Sequence, residues 1–223
     1  MYNGPKCLGL TPDSGNDEII KTAFDFVFGI GYMSFASTAA DGKTPTCRGL
    51  EVHRLDDCGN MYIGASHGKH FYDEMEKNPR ICGVAIDTVA VRISARVRKV
   101  CDGKIRARYW ELNRGTEKMY RKDLSNFQVY VLERGDGEVF HVYEDDAIAR
   151  VRFSFGGDAA RPWTYTVNSN CTGCGVCAAN CMMNVIGIEE GRAVMDHYGC
   201  NECGICYESC SCKAVDKNEF VCC

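Results

Sequence analysis

Residues 45–80 read PTCRGLEVHRLDDCGNMYIGASHGKHFYDEMEKNPR, and this stretch decides the fold. It predicts two strands joined by a tight turn and followed by a short helix, because a turn-forming DDCGN cluster separates two β-prone runs. Asn78 and Pro79 then stop the helix. The predicted elements are a strand over 44–55, a turn over 56–60, a strand over 61–65 and a helix over 69–77.

Short strands are also predicted on both sides of this stretch. Asp41 and Gly42 form a hairpin signal before it, and residues 89–100 alternate apolar with polar side chains after it. Many short antiparallel strands with few helices favour a mainly β (α+β) fold, and a small barrel in particular. The other predicted elements are strands over 32–37, 81–87 and 89–100, a helix over 102–121, and a hairpin of 127–132 and 139–143 that turns at 134–137.

Composition and charge exclude several classes of protein. The chain has 223 residues, 45% of them hydrophobic and 25% charged, which is enough for one ordinary domain and a small one. Its net charge of -4 offers no general attraction for nucleic acid. No apolar run approaches the roughly 20 residues of a membrane span, and no targeting segment is visible, so we expect a cytoplasmic protein without a membrane partner.

Cysteines divide the chain into two parts. Five of the sixteen are scattered over the first 170 residues, and eleven fall between Cys171 and Cys223. Such a concentration, without a secretion signal, indicates metal or redox chemistry rather than disulfides. We therefore predict a barrel domain over 1–144, a connector over 145–163 and a cysteine-rich domain over 164–223.

The cysteine-rich part contains the pattern C-x2-C-x2-C-x3-C twice, beginning at Cys171 and again 29 residues later at Cys200. Thiolates select iron–sulfur clusters or zinc, and two-residue spacers let one loop present three sulfurs to one cubane. The alternative is a pair of structural zinc sites, which favours two separated C-x2-C pairs instead. Three cysteines separated by two-residue spacers, present in both motifs, favour iron–sulfur clusters.

These motifs, CTGCGVCAANCMMNVI and CNECGICYESCSCKAV, resemble the bacterial-type two-cluster ferredoxin. The resemblance implies two 4Fe-4S clusters, with the fourth cysteine of each run ligating the other cluster. Met182 and Ser211 stand where the ferredoxin pattern has proline, and Cys212 is an alternative ligand to Cys210. Cys222 and Cys223 are read as free thiols. The implied ligand sets are Cys171, Cys174, Cys177 and Cys210 for one cluster, and Cys200, Cys203, Cys206 and Cys181 for the other.

Residues 45–80, with continuation to about residue 143, resemble the pyridoxamine 5'-phosphate oxidase-like FMN-binding split barrel. The resemblance implies a homodimer that binds FMN, with Arg92 and Ser94 meeting the flavin of a partner subunit. Cations at a helix N-terminus are also what a phosphate requires, and the sequence SHGKH opens the helix predicted at 69–77. The other implied FMN contacts are Arg48, Gly49, Leu50, Glu51, Ala65, Ser66, Lys69 and His70.

Together the two resemblances imply an FMN-dependent iron–sulfur oxidoreductase that reduces an organic acceptor in an anaerobic setting. The alternative is a non-catalytic electron carrier or redox sensor with a protein partner. Pyridoxamine phosphate oxidation fits poorly, because that reaction consumes oxygen whereas exposed 4Fe-4S clusters favour an anaerobic setting. A further alternative that stays open is a barrel that binds F420, haem or no ligand. No catalytic base is evident; His53, Glu51 and Tyr62 are weak candidates for proton donation.

Overall fold

The computed structural model describes residues 5–142 and 147–219. Its larger part is an antiparallel sheet of eight strands: β1 (Tyr32–Thr38), β2 (Pro45–Glu51), β3 (His53–Arg54), β4 (Met61–Ser66), β5 (Arg80–Ile86), β6 (Val89–Lys99), β7 (Phe127–Val142) and β8 (Ile148–Phe155). The α-helices that accompany it are α1 (Asn16–Ile30), α2 (His70–Lys77), α3 (Gly103–Leu112) and α4 (Arg114–Tyr120). No helix in the described ranges is long and apolar enough to cross a bilayer.

The long strand β7 organises the sheet, whose strand order is β2-β1-β5-β6-β7-β4-β3. One edge of β7 pairs with β6 over nearly its whole length. Its other edge is divided, because the first residues pair with β4 and the last with β8. A register shift between Arg96 and Val97 leaves Glu133 without a counterpart on β6, and such a bulge bends the strand pair. The sheet therefore splits around β7 and curls into a half-barrel.

Helix α1 covers the sheet beside β8. Ala23 and Val27 are fully buried on its inner face. The ring of Phe24 meets those of Phe153 and Phe155 edge-on, with centroids 6.2 and 5.5 Å apart. Gly31 ends the helix in the left-handed conformation that glycine adopts without strain. These aromatic contacts join the N-terminal helix to the last strand of the sheet.

The mainly β fold class is confirmed, and so are the predicted strands corresponding to β1, β2, β4, β5 and β6 and the helix α2, each to within a few residues. The predicted helix over 102–121 is two helices, interrupted at Asn113. The predicted hairpin over 127–143 is wrong, because residues 127–142 form the single strand β7. The predicted connector over 145–163 contains β8, which belongs to the sheet.

Two glycines explain the error in β7. The sequence Arg134-Gly135-Asp136-Gly137 is typical of a turn, but the glycines lie inside a strand. A Cβ on Gly135 would stand 2.0 Å from the carbonyl oxygen of Ser94, and one on Gly137 would stand 2.6 Å from that of Arg92. Glycine is therefore required for the close approach of β7 to β6, and not for a change of chain direction.

Residues 165–217 form a smaller α+β unit with an internal repeat. In each half a cysteine loop leads into a one-turn helix; the outermost strands β9 and β12 pair, as do β10 and β11. Its small core includes Cys177 and Cys206. The elements are β9 (Tyr165–Val167), α5 (Val176–Ala179), β10 (Ile186–Glu189), β11 (Arg192–Met195), α6 (Ile205–Glu208) and β12 (Val215–Lys217).

Substituting Gly135→Ala should destabilise the protein by about 1–3 kcal/mol, because the added methyl group collides with the backbone of β6. Gly29→Ala is the control, since its Cβ would meet nothing within 4 Å and alanine favours the helix by about 0.5–1 kcal/mol. Thermal unfolding of both variants measures the difference. Equal effects at the two positions would contradict the role assigned to Gly135.

Candidate functional site

A cavity of about 570 Å³ lies between β2, β4, α2 and the α3–α4 pair. It is lined by Tyr32, Arg48, Gly49, Leu50, Glu51, Gly64, Ala65, Ser66, Lys69, His70, Phe71, Tyr109, Thr116, Met119, Tyr120 and Phe127. We call it the barrel cavity. Its walls combine cations at one helix end with several aromatic rings, a combination suited to an elongated ligand with an anionic end and a flat end.

Arg48 is held in the barrel cavity by a buried carboxylate. One oxygen of Glu74 accepts hydrogen bonds from Ser37 (2.5 Å), Thr46 (2.9 Å) and the Arg48 guanidinium (2.8 Å). The guanidinium also lies over the ring of Phe71, with Cζ 4.3 Å from the ring centroid. Burial tends to raise the pKa of Glu74, but the three hydrogen bonds together hold it below its ordinary value. Arg48 is therefore oriented by an ionised partner before any ligand arrives.

The N-terminus of α2 opens into the same cavity. Lys69 is the residue before the first turn, and no side chain caps the helix. Amide groups of an uncapped first turn are free to bind an anion, and the helix dipole adds to the attraction. Ser66 and His70 also line this end. The arrangement provides amide, hydroxyl and ammonium donors for a phosphate group.

Two glycines place aromatic rings directly on the backbone of the cavity wall. A Cβ on Gly49 would stand 2.2 Å from the ring of Tyr32, and one on Gly64 would stand 2.4 Å from the ring of Phe127. Tyr109 packs on Phe127, with ring centroids 5.4 Å apart. The result is an aromatic wall in the cavity that also contains the cationic groups. Tyr32, Tyr109 and Phe127 are distant in sequence, and no local signal marks them as neighbours.

The structure brings eight of the predicted FMN contacts to this cavity and leaves two outside it. Arg92 and Ser94 lie on β6; Arg92 pairs with Glu138 at 2.8 Å, and Ser94 accepts a hydrogen bond from Arg161. The eight that line the cavity are Arg48, Gly49, Leu50, Glu51, Ala65, Ser66, Lys69 and His70.

The three candidate proton donors are not placed together. Glu51 lines the barrel cavity. His53 does not; burial lowers its pKa despite the nearby Glu51 carboxylate 3.8 Å away, and its Nε2 atom has no hydrogen-bond partner. Tyr62 donates its hydroxyl to Asp56 and lines a different cavity. Only Glu51 is in reach of a ligand in the barrel cavity.

In the smaller unit, the cysteines of the two C-x2-C-x2-C-x3-C motifs surround two cavities. Each cavity takes three cysteines from one motif and one from the other, so neither is complete without both halves of the repeat. The first cavity is lined by Cys171, Cys174, Cys177 and Cys210, together with Cys212; the second is lined by Cys181, Cys200, Cys203 and Cys206.

The backbone around these cavities suits bound thiolates. Amide groups of Ala193, Ala214 and Glu202 donate to the sulfurs of Cys171 (3.3 Å), Cys210 (3.1 Å) and Cys200 (3.4 Å), respectively. The donation to Cys171 lowers the pKa of its thiol. Amide hydrogen bonds to sulfur are a feature of protein-bound iron–sulfur clusters.

How closely the cysteine side chains converge in space bears on which metal group they could bind. Among the described residues, no three His, Cys, Asp or Glu side chains converge closely enough for one metal ion. Four zinc ligands would converge at about 2.3 Å from a single ion, whereas the ligands of a cubane cluster bind four different irons and stand farther apart. In this chain two separate groups of four thiols each surround a cavity.

The other cysteines among the described residues lie outside the two motifs, and of these Cys212 lines the first cavity. Cys212 is exposed beside the first cavity, 3.8 Å from the hydroxyl of Thr172. Cys7 is fully buried in the core of the sheet, and burial raises the pKa of its thiol to about 12. Cys222 and Cys223, expected to be free thiols, lie outside the described residues. The other cysteines, all exposed, are Cys47, Cys58, Cys82 and Cys101.

Comparison with known proteins establishes the fold alone. No protein-family model matches the chain, and no curated protein does. The chain is similar to the solved structure of a NimC/NimA family protein from Clostridium acetobutylicum, at 20% identity and a TM-score of 0.51 over 60% of this chain and 92% of that one. It is also similar to PhzG from Burkholderia lata, solved with tetrahydrophenazine-1-carboxylic acid, at 13% identity and a TM-score of 0.52 over 68% and 94% of the two chains.

The chain therefore shares the fold of these two proteins, and the split β-barrel that the resemblance of residues 45–80 predicted is confirmed as a fold. Both comparisons span nearly all of the other protein but only 60–68% of this one.

Replacing Glu74 with Gln should destabilise the protein by about 1–3 kcal/mol, because Arg48 loses its buried ionic partner. The stabilisation from a carboxylate with a lowered pKa is fully present above the unfolded value of about 4.3, so the penalty should be equal at pH 8 and pH 6. Unfolding measured at both pH values, with the exposed Glu111→Gln as control, checks this. A penalty that changes markedly over this interval would show that Glu74 titrates within it.

Proposed function

We propose that this protein is an FMN-dependent iron–sulfur oxidoreductase, passing electrons between two 4Fe-4S clusters and FMN to reduce an organic acceptor. The observation that carries the proposal is the grouping of eight cysteines around two cavities in a chain whose barrel cavity offers a phosphate-binding end. FMN, when bound, supplies two-electron chemistry, and the clusters supply single electrons.

In this proposal the barrel cavity binds FMN. Lys69, the first-turn amides of α2 and the hydroxyl of Ser66 hold its phosphate, with Arg48 presenting a guanidinium already fixed by Glu74. The aromatic wall of the cavity excludes water from the flat part of the ligand. Arg92 and Ser94, which lie outside this cavity, are assigned to the flavin of a second subunit in a homodimer.

The cysteine cavities are assigned to the clusters, one to Cys171, Cys174, Cys177 and Cys210 and the other to Cys200, Cys203, Cys206 and Cys181. The chain then divides into a flavin domain and a ferredoxin domain. Since β8 pairs with β7, we place the boundary after Phe155 rather than at residue 144. We further propose that the protein acts in the cytoplasm.

A non-catalytic carrier with a protein partner is the alternative. The smaller unit favours it in one respect, because residues 164–223 carry seven acidic side chains and three basic ones, a balance suited to docking on a basic surface. Anaerobic steady-state turnover separates the two proposals. An enzyme reduces a small-molecule acceptor repeatedly without a second protein, whereas a carrier does so only when its partner is added.

The cluster assignment predicts about eight irons per chain after anaerobic purification or reconstitution. Cys174→Ser and Cys203→Ser should each lower the iron content to about four, because each removes a ligand from a different cavity. Cys101→Ser is the matched control, since Cys101 is exposed and lies outside both motifs. Iron and sulfide analysis checks this. If Cys101→Ser lost as much iron as the other two, the assignment would fail.

The same analysis distinguishes Cys210 from Cys212, which both line the first cavity. With Cys210 as the ligand, Cys210→Ser lowers the iron content and Cys212→Ser leaves it unchanged. The reverse result would transfer the role to Cys212.

The FMN assignment predicts that Arg48→Ala weakens FMN binding by about tenfold or more, the effect of losing one charge-assisted contact. Its iron content should stay at the wild-type value. Arg108→Ala is the control, because Arg108 is an exposed residue that pairs with Glu111 on the surface of α3. Fluorescence titration of the flavin-free protein measures both. Unchanged affinity in Arg48→Ala, or absence of any FMN binding by the wild type, would overturn the assignment.

A further inference from the structure

The two cysteine loops differ at one equivalent position. Glu202 stands between Cys200 and Cys203 with φ +57°, in the left-handed region that costs a non-glycine residue about 1 kcal/mol or more. The matching residue of the first loop is Gly173, with φ +66°. A Cβ on Gly173 would stand 2.4 Å from the carbonyl oxygen of Gly191, so the first loop admits no side chain there.

The side chain of Glu202 explains why the second loop tolerates this conformation. Its carboxylate forms ion pairs with Arg150 and with Arg152, the latter at 2.8 Å, and accepts a hydrogen bond from Thr164 at 2.6 Å. The Arg150 and Arg152 side chains are each 6% exposed, and the Glu202 side chain is 22% exposed. Arg150 and Arg152 also pair with the buried Glu138 carboxylate, at 3.7 and 3.5 Å. Two carboxylates and two guanidinium groups are thus held largely out of water, where charges interact more strongly than on the surface.

Both arginines come from β8, so this cluster of charges joins the barrel to the second cysteine loop. Further contacts at the same place link the two parts: the amide of Arg150 donates to the carbonyl of Tyr198, and the Tyr198 hydroxyl donates to the carbonyl of Leu10. The guanidinium of Arg152 also lies over the ring of Trp163, which stacks on His197.

These charges lie beside one cysteine cavity and not the other. The amide of Glu202 donates to the sulfur of Cys200, so the carboxylate is attached to a residue in direct contact with a cavity-lining thiol. At the first cavity the equivalent position carries only the hydrogen of Gly173. A buried carboxylate opposes the addition of negative charge nearby, and a buried arginine favours it.

We propose that Glu202, Arg150 and Arg152 are positioning residues whose charges tune the reduction potential of the second cysteine site and leave that of the first cysteine site unchanged. This rests on the proposed function, since it requires a cluster at that site. Reduction adds one electron to the site. The Glu202 carboxylate makes that addition harder, and the two arginines make it easier.

The test is a redox titration of the anaerobic full-length protein with dithionite as reductant, in which electron paramagnetic resonance follows the two clusters. Glu202→Gln removes one negative charge and should raise one midpoint potential while leaving the other unchanged. Arg150→Gln should lower that same midpoint, and Arg150→Lys, which keeps the charge, should restore it towards the wild-type value. Glu189→Gln, at an exposed carboxylate on β10, is the control and should move neither.

Iron content separates the outcomes. A wild-type chain that binds no iron would overturn the proposed function and this inference together. Another outcome is a wild type that binds two iron–sulfur clusters while both midpoint potentials stay fixed, or both move equally, in the variants. That result would overturn the role of Glu202, Arg150 and Arg152 and leave the proposed function standing. If Glu202→Gln loses iron, the Arg150→Gln and Arg150→Lys pair decides, because equal midpoints in these two variants would contradict a charge effect.

Discussion

The close contact between β6 and β7 is the constraint on which the rest of the structure depends. Gly135 and Gly137 let the two backbones approach where any side chain would collide with a carbonyl oxygen. Because β7 then pairs with both β4 and β8, this one strand positions a wall of the barrel cavity and also the strand that carries Arg150 and Arg152. The barrel cavity and the contacts that join the cysteine-rich unit to the sheet therefore depend on the same strand.

Local patterns predicted much of this molecule. The turn at 56–60, the alternation in β6 and the stop at Asn78-Pro79 are short-range signals, and each corresponds to an observed element boundary or strand. The resemblance of the two cysteine motifs to a ferredoxin implied two sets of four cysteines, and the members of each set line one cavity. Short-range signals failed where one residue type serves two purposes, as at Gly135 and Gly137, which are equally typical of turns and of close strand contacts.

The missing parts of the candidate site depend on contacts between distant segments. Glu74 lies in a helix as an ordinary charged residue, and only the fold places it under Arg48, 26 positions away. Tyr109 and Phe127 reach the barrel cavity from α3 and β7. The Glu202 carboxylate meets arginines about 50 positions earlier in the chain. Nothing in the local sequence distinguishes such residues from surface charges or core aromatics.

The pairing of β9 with β12 has a consequence for how the protein is made. These strands are the first and last of the cysteine-rich unit. Each cavity is lined by three cysteines from one half of the repeat and by a fourth from the other half. Since chains fold from the N-terminus as they emerge from the ribosome, the barrel can form while the cysteines are still being translated. The cysteines of the second cavity are complete only once Cys206 has been synthesised, and those of the first only once Cys210 has. Each four-cysteine cavity therefore forms only after both motifs have been translated, and the two cannot form one motif at a time.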